Sequence, residues 1–157
     1  MKPEQATKSP SSRSERSEWL LAIDPGVCTG WAWFENGKLA WAGVGEPSKI
    51  DPWETYDCIC ECPQIYPRSP VPPNDLIAVA VQVGTYVERF KAKLVLPATW
   101  KGQLKKEIVH ARMERVLTAE EKKVYPKLAK SYAHNMLDAV GIGLWYLGRL
   151  PKSGVVR

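Results

Sequence analysis

Two apolar segments joined by an acidic turn, LLAIDPGVCTGWAWF over residues 20–34, constrain the fold of this chain most strongly. The first segment ends at Asp24, a Pro-Gly pair turns the chain, and the second segment alternates as a half-buried strand does. The sequence therefore predicts strands over 19–24 and 30–35. Asp24 then sits at the open end of a sheet, where a buried carboxylate costs desolvation free energy unless something binds it. A metal ion is one such partner.

An Asn-Gly pair at 36–37 extends this unit into a three-stranded antiparallel meander. Asn-Gly is a strong signal for a two-residue hairpin turn, and KLAWAGV over 38–44 predicts the third strand. Residues 45–55 carry two prolines and predict a connection without a long helix. YDCICEC over 56–62 predicts a fourth strand, which ends before Pro63.

Three of the four cysteines, Cys58, Cys60 and Cys62, occupy alternate positions of the predicted fourth strand. Alternate residues point to one face of a strand. Zinc sites more often show paired C-x2-C spacing. We therefore expect these cysteines to be small apolar residues on a buried face, rather than metal ligands or disulfide partners. Such cysteine usage fits a reducing cytoplasm.

A helix over 75–90 follows a proline-rich loop over 63–73, with Asn74 as its expected N-cap. The apolar positions recur at helical spacing. They predict a core stripe of Leu76, Val79, Ala80, Val83, Val87 and Phe90.

The second half of the chain alternates basic and apolar segments. It predicts a short strand over 93–96, a basic helix over 99–117, a charged helical piece over 118–130 that is broken near Pro126, and an apolar helix over 131–148.

The length of 157 residues fits one domain with its own core, over 18–150. Residues 1–17 are polar and rich in serine, without the apolar segment of a secretory signal, and predict a disordered arm. Residues 151–157 form a basic tail. No apolar run approaches the roughly 20 residues that a membrane span needs.

The net charge of +5 is unevenly distributed. Residues 19–88 hold three basic and nine acidic groups, whereas residues 89–130 hold twelve basic and four acidic groups. An acidic half with candidate metal ligands beside a basic half suits an enzyme that acts on nucleic acid. The alternative is a solvated basic helix face.

Three acids lie where separate elements could bring them together. Asp24 ends the first strand, Glu61 ends the fourth, and Asp138 interrupts the apolar segment HNMLDAVGIGLW. His134 and Asn135 precede Asp138 by four and three residues and share its helix face. Enzymes that hydrolyse phosphodiesters often bind two divalent ions with convergent carboxylates. Taken singly, the acids could instead be a turn residue, a solvent-facing strand residue and a locally satisfied helix residue.

The order of these elements resembles the ribonuclease H-like superfamily over most of residues 19–150. Within it, IDPGVCTGWAWF and HNMLDAVGIGLWYLG resemble RuvC-type Holliday-junction resolvases and their phage-encoded relatives. The resemblance implies an α/β fold with a mixed five-stranded sheet, three antiparallel strands plus two parallel ones, flanked by helices. It also implies cleavage of branched double-stranded DNA by a homodimer, with two Mg²⁺ or Mn²⁺ ions bound per site.

By this resemblance, Asp24, Glu61 and Asp138 correspond to the first, second and last acids of the family. The family often has Asp or His as a fourth ligand three residues before the last acid. This chain has Asn135 there, with His134 one place earlier. Either residue could complete the site, Asn135 as a neutral oxygen ligand and His134 after a small rotation of the helix.

Four basic residues are candidates for contacts with DNA phosphates, Lys101, Lys105, Lys106 and Arg112. Lys105 and Lys106 could also orient the scissile phosphate. Trp100 could stack on an unpaired base, although a core position is the favoured interpretation.

Three other functions compete with a junction endonuclease. One is a related nuclease that acts on flapped DNA or RNA–DNA hybrids. Another is a nucleic-acid-binding accessory of recombination or packaging without catalysis, which the amide at position 135 favours. An actin-like or sugar-kinase ATPase would need a second half, for which 157 residues leave no room.

Overall fold

Five strands form one mixed sheet in the computed structural model, which describes residues 17–47, 55–68 and 70–150. The strands are β1 (Trp19–Asp24), β2 (Gly30–Glu35), β3 (Lys38–Val44), β4 (Tyr56–Glu61) and β5 (Lys93–Val95). Their order in the sheet is β3-β2-β1-β4-β5. The first three strands pair antiparallel, and β4 and β5 add in parallel beyond β1, which confirms the expected mixed sheet.

Helices cover both faces of this sheet. They are α1 (Pro73–Phe90), α2 (Pro97–Trp100), α3 (Lys106–Val116), α4 (Ala119–Lys123) and α5 (Lys130–Tyr146). The larger core lies between the sheet and α5, whose residues Val140, Ile142 and Leu144 are fully buried. Helix and sheet approach closely because Gly143 has no side chain. A Cβ at this position would lie 2.1 Å from the ring of Phe34.

A second core lies between the opposite face of the sheet and α1. It contains Cys58 and Cys60, which confirms their expected role as small apolar residues. Burial raises the pKa of the Cys58 thiol to about 12, so it stays protonated and unreactive. Cys62 lies just beyond β4 and is only half-buried, and all four cysteines are free thiols.

The start and the buried stripe of α1 differ from the sequence prediction. The helix begins at Pro73, and Pro72 rather than Asn74 is the N-cap, because proline has the φ angle that the first helical position requires. The stripe follows Val83, Tyr86 and Phe90, whereas Ala80 and Val87 are exposed. Tyr86 is buried because its hydroxyl has hydrogen-bond partners inside the core.

The predicted basic helix over 99–117 is two helices, α2 and α3. Gly102 adopts a left-handed conformation with φ of 60° and ends the first turn, and Lys105 is extended as the N-cap of α3. The predicted piece over 118–130 is helical only in α4, with an irregular segment to Ala129. Across the three described ranges, no helix is long and apolar enough to cross a bilayer.

Part of the predicted connection over 45–55 falls outside the described residues, namely 48–54. Most of the expected N-terminal arm, 1–16, and the whole C-terminal tail, 151–157, also lie outside them.

Candidate active site

The three candidate acids meet at one edge of the sheet, on the side that α5 covers. β1 and β4 are neighbouring parallel strands, and Ile23 pairs with Cys60, so Asp24 and Glu61 each follow at the same end of their strands. Strand alternation places both side chains on the α5 face, the face to which Ala22 also contributes. The helix brings in the third acid, Asp138, which is buried.

Asp24 is the acid most strongly affected by its neighbours. It is buried, and burial together with the negative charges of Glu61 and Asp138 raises the pKa of its carboxyl well above the ordinary value. Lys101 and Lys106 act in the opposite direction but do not outweigh these effects. A buried carboxylate that is subject to the negative charges of two others is a group that a bound cation would stabilise.

The Glu61 carboxylate is held by the segment that follows β5. Nε1 of Trp100 donates a hydrogen bond to Oε2 of Glu61 at 2.5 Å, and Nζ of Lys101 lies 3.6 Å from the same oxygen. Burial raises the pKa of Glu61, although Lys101 and the Trp100 hydrogen bond lower it in part. Trp100 and Lys101 therefore act on this carboxylate as a hydrogen-bond donor and a counter-charge.

The Asp138 carboxylate is held from α3. Nε2 of His110 lies 3.0 Å from Oδ1, and Nζ of Lys106 lies 3.1 Å from Oδ2. Burial acts to raise the pKa of Asp138, but the hydrogen bond with His110 and the charge of Lys106 outweigh it and hold the pKa below the ordinary value. Asp138 is thus an ionised carboxylate with both oxygens engaged.

Asn135, one of the two candidates for a fourth ligand, is hydrogen-bonded to the turn after β1. Its Nδ2 donates a hydrogen bond to the carbonyl oxygen of Cys28 at 2.7 Å. The backbones of β2 and α5 come close together at Gly30 and Asn135. A Cβ on Gly30 would lie 1.9 Å from the Asn135 carbonyl oxygen, so only glycine permits this close packing. His134 is half-buried and makes no hydrogen bond or ion pair with any described residue.

The chemistry of this edge fits a hard divalent cation, although the cations already there are lysines. Carboxylate oxygens are the donors that Mg²⁺ and Mn²⁺ prefer. Within the described ranges, no three His, Cys, Asp or Glu side chains form a metal-binding group as they stand. The ammonium groups of Lys101 and Lys106 neutralise Glu61 and Asp138, and both lysine side chains are flexible and partly exposed. An entering ion would have to displace these ammonium groups from Glu61 and Asp138.

The four basic residues that are candidates for DNA contacts have different environments in the structure. Lys101 and Lys106 are paired with the acids, whereas Lys105 is exposed at the start of α3 and has no ion pair with a described residue. Arg112 is half-buried and follows His110 by two residues, so it points to a different side of α3. Trp100 is 2% exposed, which confirms the core interpretation and excludes stacking on a base in this conformation.

His110 is the residue at this edge that the sequence interpretation missed. It lies 28 positions before Asp138, so no local spacing connects the two. Two signals were available. The chain has only two histidines, and His110 follows Lys106 by four residues, which places both on one face of α3.

The strand order β3-β2-β1-β4-β5, with α5 packed on the sheet and carrying Asp138, defines a ribonuclease H-like fold. Among solved structures with this fold is T. thermophilus RuvC in complex with a Holliday junction substrate. The match has a TM-score of 0.51 and 17% identity, over 85% of this chain and 99% of that one. A second structure of Thermus thermophilus RuvC has a TM-score of 0.48 and 15% identity over the same shares. No family model and no curated protein match the sequence. The likeness to RuvC therefore shows the fold.

Proposed function

We propose that this protein is a metal-dependent endonuclease that cleaves branched DNA. The observation that carries the proposal is the convergence of Asp24, Glu61 and Asp138 from three separate elements at one sheet edge. A core does not need three acids at a shared, poorly hydrated place, because each costs desolvation free energy there. A ribonuclease H-like fold, which is also that of a RuvC bound to a Holliday junction, supports the same function.

In this proposal, Asp24, Glu61 and Asp138 would hold the divalent ions, and Asp24 would be the shared ligand, since the charges of both other carboxylates act on it. Trp100 orients Glu61 through its hydrogen bond. When bound there, divalent ions would activate a water molecule and neutralise charge that develops on the phosphate. The protein supplies the carboxylates, the contacts that hold Glu61 and Asp138 in place, and the burial of Asp24 and Asp138.

Lys101 and Lys106 could serve both the carboxylates and the substrate. In this structure they neutralise Glu61 and Asp138. Once divalent ions neutralise the same carboxylates, both ammonium groups can pair with phosphate oxygens of the substrate. These two lysines would therefore orient the scissile phosphate, while Lys105 and Arg112 contact the DNA backbone without reading sequence.

We propose that a second copy of the chain packs against the outer face of α1. Ile77 and Val81 are 61% and 68% exposed there, and a Cβ on Gly84 would meet no atom within 4 Å. The twelve residues of 76–87 carry no charge. A two-fold antiparallel pairing centred on Val81 and Gly84 would bury these exposed apolar positions of the two subunits against each other.

One observation favours a nucleic-acid-binding protein without catalysis. Glu61 and Asp138 already have cationic partners within the chain, as in a purely structural ion-pair network. Such a protein would bind branched DNA in a salt-sensitive way and would not cleave it.

A substrate panel separates these functions. Four-way junctions, flaps, RNA–DNA hybrids and linear duplexes are incubated with the full chain, with Mg²⁺ or Mn²⁺ or with a chelator. We expect metal-dependent cleavage of the junction in preference to the linear duplex. Preference for the flap or the hybrid would reassign the substrate, and binding without cleavage of any member would overturn the proposed activity.

A further inference from the structure

His110 and Asp138 bring a nitrogen and an oxygen atom to the separation that two adjacent ligands of one octahedral ion have. Ligand atoms at about 2.1 Å from an ion, as in magnesium-like octahedral sites, lie about 3.0 Å apart when they occupy neighbouring positions. Nε2 of His110 lies 3.0 Å from Oδ1 of Asp138. An ion could therefore bind both atoms with little change in their separation.

The surroundings of His110 favour this role over a structural one. Its side chain is 20% exposed, so an ion can reach the ring, and the ring contacts Asp138 from α3, while Asp24 and Glu61 lie at the ends of their strands in the sheet. On the other oxygen of Asp138, the competing cation is the 43% exposed Lys106, whose flexible chain can leave. The imidazole, in contrast, is held on the helix face by a shorter side chain.

The candidates on α5 are less well placed. The Asn135 side chain is committed to the Cys28 carbonyl, and releasing it would free the turn that carries Asp24. His134 precedes Asp138 by one helical turn but has no contact with the acids.

We propose that His110 is the nitrogen ligand that completes the metal site, in place of a ligand from α5. This inference rests on the proposed metal site and deepens it. A nitrogen donor is softer than carboxylate oxygen, so the site should prefer Mn²⁺ to Mg²⁺ more strongly than an all-oxygen site would. His110→Gln should then weaken Mn²⁺ binding at least about tenfold and Mg²⁺ binding less, since ligand shells tune affinity on this scale.

The two histidines of the chain make the test direct. Untagged full-length protein is loaded with Mn²⁺, and electron spin-echo modulation detects nitrogen bound to the ion. In His134→Gln protein, His110 is the sole histidine, so a histidine nitrogen signal can come from no other position. Labelling histidine with ¹⁵N should change the modulation in this variant. His110→Gln should lose the signal and keep its thermal unfolding temperature within a few degrees.

The outcomes are distinguishable from failure of the proposed nuclease activity, because no cleavage is measured. A histidine signal in His134→Gln that His110→Gln lacks supports the inference. If His110→Gln does not fold, the ¹⁵N effect in His134→Gln decides alone. Mn²⁺ bound in an Asp24-dependent way without histidine nitrogen overturns the inference but leaves the metal site intact. If Mn²⁺ does not bind, both are wrong.

Discussion

The indole Nε1 of Trp100 and the Oε2 atom of Glu61 share a 2.5 Å hydrogen bond that joins the main core to the candidate site. The Trp100 ring is buried against Gly141, where a Cβ would lie 2.7 Å from it. The ring therefore cannot shift without disturbing α5, and the carboxylate it holds is fixed with the same rigidity. Core packing and site geometry depend on one side chain.

Replacing Trp100 by Phe keeps an aromatic ring in the core and removes the donor to Glu61. We expect a loss of about 1.5–3 kcal/mol in the free energy of unfolding, the range for a hydrogen bond to a charged group, and a cleavage rate at least about tenfold lower. Urea unfolding and a junction-cleavage assay measure the two effects. The control is Trp41→Phe on β3, whose ring is 51% exposed and should cost under about 1 kcal/mol. Equal effects of the two variants would contradict the assigned role.

The crossing of β2 and α5 should not tolerate a methyl group at Gly30. A Cβ there would lie 1.9 Å from the Asn135 carbonyl oxygen and 2.2 Å from its carbonyl carbon, both backbone atoms that cannot rotate away. Gly30→Ala should therefore destabilise the protein by more than about 2 kcal/mol. Gly26→Ala, in the same turn, is the matched control, because its nearest atom would be 4.0 Å away. Chemical denaturation compares them, and similar unfolding midpoints would contradict the close approach.

Glu121 should make stability depend on pH in the acidic range. Its buried carboxylate accepts hydrogen bonds from Arg149 and from the backbone of Leu39 and Thr118, which outweigh burial and lower its pKa from 4.5 to about 2. The stabilisation is complete above pH 4.5 and is lost as pH falls through 2, which amounts to about 3 kcal/mol.

The variant Glu121→Gln tests this effect. It should be about 3–5 kcal/mol less stable at neutral pH, because Arg149 is left without its carboxylate, and its stability should fall less between pH 4.5 and 2 than that of the wild type. Glu120→Gln is the control and should be nearly neutral, because Glu120 is exposed and forms a surface ion pair with Lys123. The measurement is denaturant unfolding across pH, and parallel pH profiles for the wild type and Glu121→Gln would show that the group is not the cause.

The proposed dimer surface predicts that Val81→Lys converts a dimer to a monomer. A charge at the centre of the apolar face of α1 would be buried without a partner, so association should weaken at least about 100-fold. Leu94→Lys on β5, also an exposed apolar residue, should leave the dimer intact. Sedimentation velocity gives the masses. A dimeric Val81→Lys variant would show that the contact lies on another surface. A monomeric wild type would show that the chain does not form the proposed dimer.

The sheet was predictable because its signals are local. Alternating apolar residues indicate β1 and β2, and the Asn36-Gly37 turn has the positive φ angles, 49° and 79°, that such hairpins require. The shared position of Asp24 and Glu61 follows from strand ends in a parallel pair. These features need no knowledge of how distant segments pack.

The unpredicted features depend on helix crossings that no local pattern specifies. His110 meets Asp138, and Arg149 meets Glu121, each across 28 residues of sequence. The break at Gly102 depends on a left-handed φ angle that one glycine in a lysine-rich segment permits but does not require. The start of α4, in contrast, has a local signal in the sequence, the capping box from Thr118 to Glu121.

Asp24→Asn is the substitution that tests most directly whether the acid cluster supports metal-dependent cleavage. Burial, together with the negative charges of Glu61 and Asp138, raises the pKa of Asp24, so its ionised form destabilises the folded protein, and the neutral amide removes that charge. The variant should therefore be at least as stable as the wild type without metal. A loss of activity in it cannot then be attributed to unfolding.

The deciding measurement is the rate of Mg²⁺-dependent cleavage of a four-way DNA junction by the wild type and by Asp24→Asn, with junction binding measured in parallel. We expect cleavage by the wild type, a rate at least about 10³-fold lower in the variant, and similar binding by both, since the site loses its shared ligand and keeps its basic surface. Cleavage at comparable rates by both proteins would contradict this expectation.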